Sequence, residues 1–114
     1  MATRGRSARL KGKSYELDTV AWFKEIGWPE AKRNFEFRKE EAADGVDLLN
    51  TEPFAIQCKS YAKPPAPLAV LKRTKGKHPI AFFKVTSKGE YVVMNKATLK
   101  MLLLIFASQR PQLP

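Results

Sequence analysis

Asp47, Gln57 and Lys59 are the residues whose types and spacing point most directly to chemistry. Asp47 lies in the short apolar run Gly45-Val46-Asp47-Leu48-Leu49. Gln57 and Lys59 lie two apart in the next run, Phe54-Ala55-Ile56-Gln57-Cys58-Lys59. Strand side chains alternate faces, so Gln57 and Lys59 project from one side and Ile56 and Cys58 from the other. Asn50-Thr51-Glu52-Pro53 has the composition of a connecting turn. If the two runs pair, a carboxylate, an amide oxygen and an ammonium share one small surface. Hard oxygen ligands suit Mg²⁺, and a cationic side chain steadies an attacking water during phosphodiester hydrolysis. Each residue also has a plainer reading. Turns favour Asp, and a lysine at a strand end is commonly a solvated edge residue. Asp44 fits the turn role better, because Asp47 stands inside its apolar run.

These runs need a helix to complete the site. Residues 14–27 read as one, with Val20, Phe23 and Ile26 marking an apolar face. Glu16 shares that face, four residues before Val20 and seven before Phe23. An acid at the end of a buried stripe needs a partner. A cation opposite Asp47 is one candidate. A lysine, or a place near the helix start, is the other. Asp18 and Glu25 fall off the stripe. Gly27 and Pro29 end the helix. Residues 32–38 alternate as a strand, with Phe35 and Phe37 on one face. Residues 39–44 form a charged loop, and Gly45 lets the chain turn into the next strand.

The order of these elements resembles the PD-(D/E)xK nuclease superfamily, whose motif is an Asp, a gap of about this length, then Glu-x-Lys. Here it reads Asp47 … Gln57-Cys58-Lys59. The opening Lys11-Gly12-Lys13-Ser14-Tyr15-Glu16 is similar to that of archaeal-type Holliday junction resolvases, where a basic Lys-Gly element precedes a helix carrying an active-site Glu. The likeness runs from Leu10 to Ile105. It implies that Glu16, Asp47, Gln57 and the backbone carbonyl of Cys58 hold Mg²⁺, for which Mn²⁺ substitutes. It implies that Glu16, Asp47, Gln57 and Lys59 are catalytic, with Lys59 orienting the water and stabilising the pentacovalent phosphate. Cleavage by water would leave a 5′-phosphate. Two departures stand out. Gln57 replaces the usual Glu, so its carbonyl can coordinate but brings no charge. The loop 39–43 contains no serine, where the archaeal type carries a catalytic one.

The chain of 114 residues carries a net charge of +10, which suggests an anionic partner, nucleic acid first. Residues 1–13 read as a flexible basic arm, in which Arg4, Arg6, Arg9, Lys11 and Lys13 face phosphates. Lys63, Lys72, Arg73 and Lys75 continue that phosphate track; a solvated helix end suiting the dipole is the plainer alternative for the last three. Cys58 is the one cysteine, so no internal disulfide forms, in keeping with a reducing cytoplasmic setting, the host cytoplasm for a viral chain. On its strand Cys58 faces the core as a small hydrophobe. His78, beside Pro79, reads as a turn residue. No apolar stretch follows the basic N-terminus, and residues 101–107 are too short to span a bilayer, so no membrane partner is expected.

Pro64, Pro65 and Pro67 exclude regular structure between Lys59 and a short helix over 68–75. Strands follow over 79–85 and 91–94. Asn95 caps a last helix through Phe106. That helix is apolar all round and must be covered on several sides, within the monomer or by a second subunit; a homodimer is expected. The fold class is α/β: a mixed central sheet of about five strands flanked by helices, restriction-endonuclease-like, in a single domain over 14–108 with a tail over 109–114. The expected function is Mg²⁺-dependent cleavage of branched DNA, a four-way junction nicked symmetrically by a dimer. Two alternatives are another nuclease of the same superfamily, of restriction or repair type, and a non-catalytic nucleic-acid-binding protein with a degenerate site.

Overall fold

The computed structural model describes residues 2–34, 45–63 and 66–109; side chains are described from Leu10 onward. Helix α1 spans Ala2–Ile26. It runs unbroken through the segment expected to be a flexible arm, where Ala, Arg, Lys and Leu are good helix formers. Gly27, at φ 134°, ends it, and Trp28 N–H donates to Phe23 O at 2.9 Å to close the last turn. Val20 and Phe23 are buried as expected, whereas Ile26 is half exposed because the helix end overhangs the core.

Strands β1 (Lys32–Arg33) and β2 (Leu48–Leu49) pair antiparallel. Strand β3 (Ala55–Tyr61) pairs in parallel with β4 (Pro79–Val85), which pairs antiparallel with β5 (Gly89–Met94). Parallel strands need a crossover, and helix α2 (Pro67–Arg73), opened by a proline in its first turn, supplies it. The expected strand over 32–38 and the loop at 39–44 fall mainly outside the described residues, Phe35 and Phe37 included.

The fold is thus mixed α/β, but not around one five-stranded sheet: among the described residues the strands form a pair and a triplet. Asp47 explains the break. Its N–H donates to Ile56 O at 2.8 Å, as in a ladder. The next N–H of β3 on that edge, from Cys58, goes to the Asp47 carboxylate instead of to a backbone carbonyl. The ladder between β2 and β3 stops there, and the strands fork.

Two cores flank the triplet. On one face Tyr15, Val20 and Phe23 of α1 pack with Leu48, Ile56, Cys58, Ile80 and Phe82. On the other, Val70 and Leu71 of α2 pack with Ala81, Phe83 and Val85. Ile56 and Val70 are fully buried, each such side chain stabilising the fold by about 1.5–3 kcal/mol.

Helix α3 spans Lys96–Ser108, and Asn95 caps it by accepting Thr98 N–H at 2.8 Å. Its apolar flanks are left partly open among the described residues. Thr98 is its one buried residue, and Leu99, Leu103, Leu104, Ile105 and Phe106 are about half exposed. No described helix is long and apolar enough to cross a membrane.

Candidate active site

Four elements meet at the fork between β2 and β3. Glu16 comes from α1, Arg33 from β1, Asp47 from the residue before β2, and Lys59 from β3. Asp47 is held from three sides. Its carbonyl accepts Asn34 N–H at 2.8 Å, its N–H donates to Ile56 O, and its Oδ2 accepts Cys58 N–H at 2.7 Å. Asn34 adds a side-chain bond from Nδ2 to Val46 O at 2.8 Å. Gly45 begins this approach at φ 74°, where a Cβ would stand 2.6 Å from Arg73 O. Only glycine satisfies both the backbone angle and that clearance.

Glu16 and Asp47 interact electrostatically and are both half-buried. Burial, with Asp47 repulsion second, raises the Glu16 carboxyl to about 7 against the opposing pull of Arg33 and Lys59. Burial raises Asp47 also, opposed by the Cys58 N–H, Lys59 and Arg33. Arg33 Nη2 lies 3.7 Å from Glu16 Oε2. The site therefore holds two carboxylates that disfavour each other's charge, with two cations beside them. Such a pair is suited to a divalent cation.

The oxygen donors at the fork are of the kind Mg²⁺ takes. In a strand, one residue's N–H and C=O point to the same edge. Cys58 N–H points to Asp47, so the Cys58 carbonyl faces that edge too, beside the Asp47 carboxylate. Glu16, Asp47 and this carbonyl are all hard oxygens, and Mg²⁺ completes its shell with water. No group of three acidic, histidine or cysteine side chains placed to hold a metal occurs among the described residues. The residues fit the ion with a short protein ligand set.

Gln57 is not directed to the pair by its hydrogen bonds. It is buried on the α2 side, where the Thr74 hydroxyl donates to its Oε1. Thr74 Oγ1 also lies 3.0 Å from Val70 O. A hydroxyl has one proton, so it serves one acceptor at a time. With the amide inverted, Gln57 donates to Thr74 while Thr74 donates to Val70, and both contacts form together. Cys58 is buried in the α1 core, as its alternation implied, and burial pushes its thiol up. His78 stands in a turn at φ 52°.

Lys11, Lys13, Lys63, Lys72, Arg73 and Lys75 are all exposed. Lys75 lies beyond α2, which ends at Arg73 rather than at residue 75 because Thr74 turns its backbone away. Arg4, Arg6 and Arg9 lie on α1, with side chains outside the described set; Pro64, Pro65 and residues 110–114 lie outside it altogether. Sequence reasoning missed Arg33 and Asn34. Alternation over residues 32–38 puts Asn34, with Glu36 and Arg38, on the face opposite Phe35 and Phe37, and gives no signal for Arg33. No family model matches the chain, and no curated protein or solved structure matches it.

Proposed function

We propose that this chain is a Mg²⁺-dependent, structure-selective DNA endonuclease acting on four-way junctions as a homodimer, in the manner of a Holliday junction resolvase. The observation that carries the reading is the pairing of Glu16 with Asp47 at a strand fork, beside Lys59. Glu16, Asp47 and the Cys58 carbonyl are the groups that would hold the cation. A bound divalent cation supplies Lewis-acid stabilisation of the phosphoryl oxygens. Lys59 orients the attacking water and offsets charge on the phosphate. Arg33 holds Glu16 while the site is free of substrate, and its planar fork suits a phosphate oxygen. Water adds to phosphorus, the P–O3′ bond breaks, and the products are a 5′-phosphate and a 3′-hydroxyl. Lys11, Lys13, Lys63, Lys72, Arg73 and Lys75 would hold flanking phosphates, which position the DNA without reading its sequence.

One observation favours a second reading. Gln57 brings no charge and bonds to Thr74, which suits a nucleic-acid-binding protein that does not cut. Cleavage of a labelled four-way junction beside matched linear duplex, in Mg²⁺ and in Mn²⁺, decides between them. Paired symmetric nicks confined to the junction support the resolvase. Equal cutting of duplex supports a restriction or repair nuclease. Binding without cutting supports the second reading.

A further inference from the structure

The sheet face covered by α1 changes character along its length. Cross-strand partners run Ile56–Ile80–Met94, then Cys58–Phe82–Val92, then Ser60–Lys84–Glu90. The first two rows are apolar. The third is polar and lies where β3 and β4 end. Over it, α1 presents Lys11, Ser14 and Tyr15, then Asp18 and Trp22, at helical spacing. Two clefts of about 410 and 430 Å³ open between helix and sheet. Both are lined by Tyr15, Lys84 and Glu90, so they are halves of one groove.

The halves differ in chemistry. The first gathers Lys11 and Lys84 with the hydroxyls of Ser14, Ser60, Thr86 and Ser87. Ammonium and hydroxyl donors of this kind hold phosphate oxygens. The second contains Trp22, 47% exposed although it meets Phe82 edge-on at 5.5 Å. Asp18 and Glu90 stand beside it. Their carboxylates repel phosphate but accept hydrogen bonds from base amino groups. Tyr15, which lines both halves together with Glu90, marks the boundary between them.

We propose that this groove binds one unpaired nucleotide of DNA, its phosphate between Lys11 and Ser60 and its base against Trp22. This deepens the nuclease reading and rests on its nucleic-acid part. A base stacked on Trp22 must have left its duplex, which takes the opening of base pairs at a branch point or a single-stranded segment. Stacking of this kind tolerates any sequence.

Anisotropy of a labelled single-stranded oligonucleotide, read in EDTA, tests the site without cleavage. Trp22→Ala and Lys84→Ala should each weaken binding about tenfold. Lys100→Ala, an equal charge loss on α3, should change it less than about twofold. An abasic oligonucleotide of the same length should bind wild type about tenfold more weakly, and should bind Trp22→Ala as wild type does. Trp22→Phe, which keeps a ring against Phe82, should retain most of the preference for bases. Equal wild-type affinity for normal and abasic strands, or equal losses from Lys84→Ala and Lys100→Ala, would overturn the site while leaving junction binding intact. Failure of wild type to bind either strand or junction would overturn the nucleic-acid reading together with it.

Discussion

The Asp47 carboxylate accepts the backbone N–H of Cys58 at 2.7 Å, standing where a ladder carbonyl would otherwise be. One residue therefore both ends the β2–β3 ladder and supplies an acid to the fork. Fold and chemistry separate by substitution. Asp47→Asn retains an acceptor for Cys58 and should keep near wild-type stability, while cleavage falls on the order of 10²-fold or more. Asp47→Ala leaves the N–H unpaired and should cost about 1–3 kcal/mol in addition. Urea unfolding beside junction cleavage separates the two losses. Full activity in Asp47→Asn would remove this residue from the site.

Gln57→Glu puts a charge into a buried position beside Thr74. A carboxylate there cannot donate to Thr74 as the inverted amide does. Without a divalent cation the variant should be less stable than wild type by about 1–3 kcal/mol. With Mg²⁺ that loss should shrink, and cleavage should persist or rise. Thermal melting with and without Mg²⁺ reads the first effect, and junction nicking the second. A variant inert in both Mg²⁺ and Mn²⁺ would favour the non-cleaving reading.

Glu16 sets the pH dependence of the cation-free protein. Its folded value of about 7 exceeds the ordinary 4.5, chiefly through burial, with Asp47 repelling and Arg33 and Lys59 opposing. Between those values the folded state binds more protons than the unfolded one, so stability falls as pH rises. The contribution is fully present below about pH 4.5 and is lost on passing pH 7, amounting to at most about 3 kcal/mol. Asp47 is raised in the same direction. Tm in EDTA should therefore decline from pH 5 to pH 8, and Glu16→Gln should flatten that decline. Mg²⁺ should flatten it too, by favouring the ionised pair. An equal decline in Glu16→Gln would place the titration elsewhere.

Much of this was legible because local rules fixed it. Gly27 and Pro29 ended α1, Asn95 capped α3, and the alternation through Ile56 and Cys58 marked β3's core face. Glu16 was placed by helical periodicity, yet its neighbour Arg33 could not be. That contact depends on β1 pairing with β2, which lies well apart from it in sequence, and nothing local encodes it. The division into two sheets was equally hidden. It follows from one side chain accepting an N–H that strand patterning assigns to a backbone carbonyl. Gln57 is a different case. Alternation placed it on the Lys59 side of the strand, but Thr74, seventeen residues on, decides what it bonds.

Helix α3 carries the last prediction. Leu99, Leu103 and Phe106 form a stripe at helical spacing, and Leu104 and Ile105 widen it. The chain leaves these residues about half exposed, and a contiguous apolar surface of this sort marks an association site. In a two-fold dimer the helix would meet its own copy. Wild type should sediment as a dimer at micromolar concentration, and Leu103→Glu with Phe106→Glu should sediment as a monomer. Because these side chains contribute little to burial within the chain, the variant should keep its secondary structure by circular dichroism. Its nicks in a junction should lose their pairing if, as proposed, each subunit cuts one strand. Unfolding of the double variant would show that α3 packs within the chain. A wild-type monomer would place the second cut with a second, independent encounter.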